Sequence, residues 1–497
     1  MHGHTVSKPA PAIVERSDRD SRLRLRKDRR TISEPVLTGL VAAWDGLCVL
    51  AAGLASMVLV SLETELDWSL SRLVVVVGAV LAINLMNVAG AYRIETLGQI
   101  EKSLGQILFG WILTVGTLIG ISHVTDASTS AAGAWVLTWS VVGLTLLAVN
   151  RLILSYLFGK WARAGRLSRN VAVIGAGQIG QRLLSYLEGN AAASRLNVVG
   201  VYDDRSERLP RHCMGFPLLG DIDDLVRDVR DNRIDLVIVA LPLSADWRLA
   251  EVMNKLMMVP VDVRLCADLF GFQIGSCEVS HLGGVTLLNA VDRPLSDWQW
   301  VAKAIEDRLL GALILFLISP VLAMIALLIK LDSRGPVLFK QKRYGFNNEL
   351  IEVFKFRTMH HNLEDANAEQ LTKRNDPRVT RLGAFLRRTS LDELPQFINV
   401  VRGDMSIVGP RPHALAAKAG NILYQEAVKS YDARHRVKPG ITGWAQVNGW
   451  RGETETVEQI QKRVEHDLYY IEHWSLLFDL KIILRTILGG FTGRHAY

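Results

Sequence analysis

Residues 309–329 read Leu-Leu-Gly-Ala-Leu-Ile-Leu-Phe-Leu-Ile-Ser-Pro-Val-Leu-Ala-Met-Ile-Ala-Leu-Leu-Ile. As a helix this run is long enough to cross the bilayer, whose hydrocarbon core is about 30 Å thick. Two features argue against a crossing. Ser319-Pro320 falls at the middle, where proline removes a backbone donor and clashes with the preceding turn. Both flanks are also basic, with Lys303 and Arg308 before the run and Lys330, Arg334, Lys340, Lys342 and Arg343 after it. A span with a cationic end on each side conflicts with the positive-inside rule. The sequence therefore predicts a re-entrant helix over 300–330, broken at Ser319-Pro320, that enters and leaves by one face. The competing reading is a spanning helix with a tolerated proline kink.

Upstream, four further apolar runs cover roughly 36–61, 73–92, 104–122 and 134–157. The first loop carries Glu63, Glu65 and Asp67 and no Lys or Arg, whereas Arg151, Lys160, Arg163, Arg166 and Arg169 follow the fourth run. This alternation predicts four transmembrane helices over 35–160 with both ends in the cytoplasm, Arg72 being the exception. Residues 1–34 carry Arg22, Arg24, Arg26, Lys27, Arg29 and Arg30 without apolar periodicity, which reads as a disordered basic cytoplasmic tail rather than a signal peptide. Asp45 lies inside the first run with no visible partner, so both a functional role and simple helix packing stay open.

This arrangement explains a composition that is apolar yet charged. Of 497 residues, 49% are hydrophobic, and 57 Lys+Arg against 50 Asp+Glu give a net charge of +7. A disordered chain is excluded, as is a disulfide-stapled one. Cys48, Cys213, Cys266 and Cys277 form no C-x-x-C pair, so no structural zinc site is indicated. The basic charge lacks the aromatic interleaving of a nucleic-acid reader.

Between 168 and 290 the pattern becomes strand–turn–helix. Asn170-Val-Ala-Val-Ile-Gly-Ala-Gly-Gln-Ile-Gly180 places Gly175, Gly177 and Gly180 in G-x-G-x-x-G. Strands at 197–202, 235–241 and 261–265 imply a Rossmann-like parallel α/β domain. The glycine turn with Asp203 or Asp204 would suit a dinucleotide, but the same turn also serves helix–strand packing. An NAD-dependent dehydratase would place its Tyr-x-x-x-Lys pair after the loop; here Tyr156 and Lys160 precede it. Thr114-Val-Gly116 hints at a channel filter, but it lies within an apolar run.

The last third carries the chemistry. Phe354-Lys355-Phe356-Arg357-Thr358-Met359 would put Lys355 and Arg357 on one face of a strand. Arg387-Arg388-Thr389-Ser390-Leu391-Asp392-Glu393-Leu394-Pro395-Gln396 follows, then Gly409-Pro410-Arg411-Pro412. Ser390-x-x-Glu393 alone reads as a capping box. Beside this many cations, Asp392 and Glu393 read as a catalytic pair. Adjacent helical residues point about 100° apart, so one carboxylate would attack phosphorus while the other ligates a hard cation such as Mg²⁺.

Residues from about 300 to 497 closely resemble the bacterial sugar transferases, the monotopic phosphoglycosyl transferases. The motifs are Ser319-Pro320, Lys355–Met359, Thr389–Gln396, Gly403–Pro412 and Val437–Gly449. The whole chain is similar to the long subgroup, with four membrane helices, a Rossmann-like domain and a catalytic domain over 331–497. The resemblance implies that Asp392 is the nucleophile receiving a sugar-1-phosphate from a UDP-sugar donor, and that Glu393 binds Mg²⁺. It implies that Lys355, Arg357 and Arg387 hold phosphates and that Arg411 and Arg451 lie near the nucleotide. Pro410 and Pro412 would shape the turn. The acceptor would be undecaprenyl phosphate, in a bacterial inner membrane with catalysis on the cytoplasmic face. The run Gly449-Trp-Arg-Gly-Glu-Thr454 looks like the glucose-transferring branch of exopolysaccharide synthesis. UDP-galactose and UDP-N-acetylhexosamines stay open as donors, and the sequence leaves a homo-oligomer open.

Overall fold

The computed structural model describes residues 33–489 apart from 63–67, 125–129, 190–195, 206–209, 211, 232–233, 243–244, 267–278, 283–284, 362–375, 414–417, 420–421, 451 and 453–455. The basic tail up to residue 32, the first-loop carboxylates and Arg451 lie outside the described residues. Contacts divide the chain into one unit over 28–169 and another that holds 170–497.

In the first unit four apolar helices follow one another: α1 (Glu34–Ser61), α2 (Trp68–Val88), α3 (Ile100–Val124) and α4 (Ser130–Arg163). Each is long and apolar enough to cross a membrane. Helix α1 packs on α2 and α4, and α3 on α2 and α4. The second run ends at Val88, sooner than its apolar sequence suggests, because Gly90 turns the chain at φ +83°. Indole N–H groups stitch the helices together: Trp139 Nε1 donates to Val49 O at 3.0 Å and Trp111 Nε1 to Ser140 O at 3.0 Å. Asp45 does have partners. Arg151 reaches Asp45 Oδ2 at 2.7 Å and Asn150 reaches Oδ1 at 2.6 Å, all three residues being buried. Arg151 is therefore no loop cation, since α4 continues to Arg163 and carries it inside. Thr114 lies within the continuous α3 and donates back to Gly110 O at 2.8 Å, which is helix rather than pore loop.

The second unit opens with an eight-stranded sheet. Its strands are β1 (Arg169–Ile174), β2 (Leu196–Tyr202), β3 (His212–Cys213), β4 (Phe216–Gly220), β5 (Leu236–Val239), β6 (Asp262–Cys266), β7 (Val279–Leu282) and β8 (Val285–Val291). They lie in the order β3-β4-β2-β1-β5-β6-β8-β7. The β2–β4, β1–β5 and β5–β6 pairs are parallel, as expected, whereas β8 returns antiparallel on β6. Helices α5 (Gln178–Gly189), α6 (Ile222–Arg230) and α7 (Asp246–Leu256) cover it. Alternate residues of β1 feed two cores, Val171 and Val173 into one and Ala172 and Ile174 into the other. This is the signature of a sheet buried on both faces.

Helix α8 (Asp297–Asp332) runs without interruption, with Pro320 inside it. The expected break is thus corrected to a proline within a continuous helix. Pro320 has no N–H to give the carbonyl four residues back, that of Phe316. Ser319 Oγ supplies the missing donor, at 2.7 Å from Phe316 O. The Ser-Pro pair thereby removes a backbone bond and replaces it in the same turn.

Among the elements of the C-terminal region are hairpin β9 (Leu338–Tyr344) and β10 (Leu350–Phe356), α9 (Arg381–Arg388), α10 (Gln396–Arg402), β11 (Ser406–Val408), β12 (Gly440–Thr442), α11 (Val457–Glu472) and α12 (Leu476–Gly489). Both halves of α8 pack on this region. Toward its start, Leu310 and Ile314 join the core of Val353, Val400 and Ile407. Asp307 there accepts from Ser406 Oγ and Ile407 N, both at 2.9 Å, and Lys303 pairs with Asp479 at 2.6 Å. Toward its end, Ile325 and Ile329 pack with Phe356 and Leu386. Between and around these contacts Leu313, Phe316, Leu317, Met324 and Leu327 are exposed.

Candidate active site

Asn399 sets the frame. Fully buried, it accepts from Phe354 N at 2.9 Å and donates to Glu352 O at 2.7 Å, locking α10 to the edge of β10. Gly403, at φ +90°, closes α10 with its N–H on Asn399 O and Val400 O at 3.0 Å. A side chain at Gly383 would strike Thr358 O at 2.0 Å, so glycine there lets α9 sit against the end of the β9–β10 hairpin. The Gly409-Pro410-Arg411-Pro412 turn is held by a similar close approach: a Cβ on Gly440 would meet Gly409 N at 2.1 Å. Gly440 N donates to Pro410 O and Gly409 N to Thr442 O, at 3.0 and 2.9 Å.

Between α9 and α10 a single 3₁₀ turn, Leu391–Glu393, carries both carboxylates. Ser390 precedes it at φ 57° and makes no N-cap hydrogen bond, which corrects the capping-box reading. In a 3₁₀ turn neighbouring side chains diverge by about 120°, and the two carboxyls meet different surroundings. Lys355 Nζ donates to Glu393 Oε1 at 2.9 Å. Arg411 donates to Oε2 at 3.1 Å and, through its other nitrogen, to Oε1. Asp392 is 8% exposed, and no donor among the described residues hydrogen-bonds its carboxylate.

The electrostatics follow. Burial alone would raise the Glu393 pKa, but Arg411 and then Lys355 outweigh it and hold this carboxyl well below the usual range. Asp392 goes the other way: burial, with Glu393 adding to it, pushes it up to about 6 despite Lys355, Arg387 and Arg411. Burial also lowers Lys355, against the pull of Glu393. Two adjacent carboxyls with pKa values driven apart are the arrangement expected where they do different jobs.

Three predicted residues join the dyad. Lys355 and Arg411 hold Glu393, and Arg387, whose Nε donates to Thr358 Oγ1 at 2.9 Å, acts electrostatically on Asp392. Arg357 does not join. It is 3% exposed, and its guanidinium binds Ser333 O at 2.7 Å, Ser333 Oγ at 2.8 Å and Arg334 O at 3.1 Å, at the end of α8. Arg378 pairs with Asp376 at 2.7 Å. Arg343, which reads in sequence as a topological flank, belongs to the site. It donates to Gln341 Oε1 at 2.8 Å, and burial and then Arg411 lower its pKa to about 10. Behind Arg411, Arg434 donates to Arg411 O at 2.7 Å and to Asp467 Oδ2 at 2.6 Å. His413 lies against Arg434 and Tyr431; burial and then Arg434 keep it neutral. Four cations (Arg343, Lys355, Arg387, Arg411) thus surround two carboxylates, a surplus suited to phosphates.

The glycine loop is a separate feature. Asp203 Oδ2 accepts from Ala176 N at 3.0 Å, and both its oxygens accept from Arg205. Burial would raise its pKa, but Arg205 and Ala176 outweigh it, so the carboxylate is tied to its own loop rather than presented to a ribose. Gly180 and Gly175 are required by packing, since a Cβ would meet Gly175 O at 1.9 Å and Ala240 O at 2.8 Å respectively. At Gly177 nothing lies within 4 Å. Tyr156 and Lys160 lie on α4, ahead of the loop.

The bacterial sugar transferase family model matches residues 298–493, and the model described as a CoA-binding domain matches 87–267. The chain is 38% identical over 473 residues to the UDP-glucose:undecaprenyl-phosphate glucose-1-phosphate transferase of Escherichia coli (strain K12), covering 95% of this chain and 99% of that protein. It is 37% identical over 486 residues to the undecaprenyl-phosphate glucose phosphotransferase of Komagataeibacter xylinus, covering 95% and 87%. A UDP-N-acetylgalactosamine-undecaprenyl-phosphate N-acetylgalactosaminephosphotransferase of Aeromonas hydrophila is 34% identical over 284 residues, covering 56% and 62%.

Proposed function

The chain belongs to the bacterial sugar transferase family, in its long subgroup, and on that premise we propose that it moves glucose-1-phosphate from UDP-glucose to undecaprenyl phosphate, releasing UMP. Similarity to glucose-1-phosphate transferases along nearly the whole chain carries this reading, and the shorter match to the N-acetylgalactosamine enzyme makes that donor second.

The geometry supports a covalent route. An Asp392 oxygen, free of hydrogen bonds and ionised above pH about 6, attacks the phosphorus that bears glucose. The bridging P–O bond breaks and its electron pair leaves with UMP, giving a glucosyl-phospho-aspartate. An oxygen of undecaprenyl phosphate then attacks the same phosphorus and Asp392 departs as carboxylate, so no general base is needed in either step. Lys355, Arg343, Arg387 and Arg411 balance the phosphate charge. Glu393 stays anionic throughout because Arg411 and Lys355 hold it so. Glu393 Oε2, which accepts a single hydrogen bond, would hold a divalent cation, and when bound Mg²⁺ would neutralise phosphate oxygens. Product analysis on membrane fractions tests the reaction: UMP supports it, and UDP would mean direct glycosyl transfer.

The same reading gives a topology. Both halves of α8 pack on the same region, each on its own hydrophobic cluster, whereas the two ends of a crossing helix would be separated by the bilayer. We therefore read α8 as bending at Pro320, its helical run kept, so that it enters and leaves by the cytoplasmic face of the inner membrane, with the four helices of the first unit spanning it. Exposed Leu477, Leu480, Leu484 and Leu488 recur along one face of α12, an apolar stripe suited to the same lipid surface.

A further inference from the structure

Beside the first half of α8 two cations gather at one glycine. The point where a Cβ on Gly403 would sit lies 3.2 Å from an Arg308 guanidinium nitrogen and 3.7 Å from Lys438 Nζ. Gly403 closes α10 at φ +90°, and Lys438 stands just before β12. Like charges brought together this way repel, and no carboxylate offsets them. Among the described residues neither side chain makes an ion pair: Arg308 donates within its own helix, to Ala304 O at 3.2 Å, and Lys438 Nζ donates to nothing. The acids that act on Lys438 are already engaged. Asp307 accepts from Ser406 and Ile407 and lies 3.1 Å from Lys303, and Asp404 lies 3.6 Å from Arg402. Burial and then Arg308 accordingly lower the Lys438 pKa, against the pull of Asp307 and Asp404. Both cations can be reached from outside, for Arg308 is exposed and Lys438 is half-buried with its Nζ open to solvent.

Position narrows the class of the missing anion. Arg308 is the last charged residue before the apolar run 309–329. About one turn earlier, Lys303 joins α8 to α12 through Asp479 at 2.6 Å. Asp479 sits among the exposed Leu477, Leu480 and Leu484 of α12, and exposed Leu309 and Leu313 follow Arg308 on α8. The pair thus stands where two apolar surfaces begin, the level of phospholipid phosphates. A phosphate has oxygens enough to meet a guanidinium and an ammonium together. The reacting phosphate of the acceptor does not suit this place. Gly403 ends α10 and the dyad precedes it, so a helix of 7 residues, about 10 Å long, stands between them.

We propose that Arg308 and Lys438 bind the phosphate of an anionic phospholipid at Gly403, at a site separate from the acceptor's. This site rests on the reading that places α8 in lipid, and it is the same whether α8 bends or crosses, since Arg308 precedes the run either way. The headgroup must be anionic overall, because a choline beside the phosphate would face the same two cations. The bound lipid ties α8 to the segment before β12, where Gly440 N holds Pro410 O next to Arg411.

The test is native mass spectrometry of the full-length protein in dodecyl maltoside, titrated with phosphatidylglycerol, phosphatidylcholine or inorganic phosphate. One phosphatidylglycerol should bind saturably and in preference to phosphatidylcholine, about fivefold more weakly in Arg308→Gln and in Lys438→Gln. Arg308→Lys should keep most of the affinity, which separates charge from damage to the fold. Equal binding by the parent and both Gln variants overturns the proposal, as does an equal loss in Lys330→Gln, at the other end of α8, which would mean diffuse charge alone. Equal binding of phosphatidylcholine, or saturation by inorganic phosphate as tight as by the lipid, overturns the ligand class. One-for-one displacement by undecaprenyl phosphate would make the site the acceptor's. Labelling of α8 by a membrane-phase carbene reagent tests its embedding by itself, so that failure of that reading is told apart from failure of the site.

Discussion

Lys355 Nζ lies 2.9 Å from Glu393 Oε1, yet Asp392, one residue before Glu393, takes no hydrogen bond from Lys355 or from any other described residue. Glu393 is fixed in place and in charge, and Asp392 is left available.

Asp392→Asn should abolish UMP release even without lipid acceptor, while donor binding persists. Because burial holds the Asp392 pKa near 6, and only the ionised form attacks, kcat/KM of the parent enzyme should rise with pH and level off above about 6. A profile flat from pH 5 to 8 would contradict the assignment.

The same residue should weaken the fold. Its pKa is raised from 3.8 to about 6, so the folded state binds the extra proton between those values. Stability is then lost as pH rises through that window and stays lost at pH 7. That difference corresponds to at most about 3 kcal/mol. Asp392→Asn should therefore raise the unfolding temperature at pH 7.5 but scarcely at pH 4. Equal stability of parent and variant at pH 7.5 would argue against a strained carboxylate.

Arg411→Ala strips Glu393 of its two-pronged partner and leaves a buried carboxylate with Lys355 alone. A loss of about 3 kcal/mol is expected, together with a fall in kcat of at least about a hundredfold. Arg411→Lys should recover stability better than activity, because an ammonium cannot bridge both oxygens. Thermal unfolding and UMP-release rates measured on both variants separate the two effects.

Within the first unit, Asp45→Ala leaves Arg151 buried without its counter-charge. A cost of about 3–5 kcal/mol is expected, with the double variant Asp45→Leu/Arg151→Met less damaged than either single change. Unfolding in detergent would show whether the coupling is present.

The glycine loop offers a two-position contrast. Gly180→Ala forces a Cβ to within 1.9 Å of Gly175 O, whereas Gly177→Ala meets nothing within 4 Å. The first should disrupt the α/β domain and the second leave it folded, as read by limited proteolysis. If Gly177→Ala nonetheless abolishes binding of a nucleotide to the purified protein, the loop has a ligand after all.

Much of this could be read in the chain because the signals are local. Four apolar runs, a strand–glycine–helix start at 170–180 and the 389–396 motif each lie within one element. What escaped depends on pairs far apart in sequence. Asp45 meets Arg151 across 106 positions and Arg434 meets Asp467 across 33, and no periodicity carries such a pairing. Arg343 and Arg357 were indistinguishable from their neighbours as basic residues; the strand register and the nearby helix end send one to the dyad and the other away from it. Ser319-Pro320 misled in a narrower way, because the hydroxyl that repairs the proline's missing bond belongs to the same dipeptide.

Arg357 has a consequence of its own. It grips the last turn of α8 while Lys355, two residues earlier on the same strand, touches Glu393. With α8 in lipid, as proposed, the carboxylates of the dyad would ride at a fixed height above the bilayer, like a reading head set over a track. The proposed acceptor keeps its long tail in the membrane and offers its phosphate at one level only. Loosening Arg357 should then slow transfer to the native acceptor far more than the half-reaction that releases UMP, because it is altitude, not chemistry, that would have been lost.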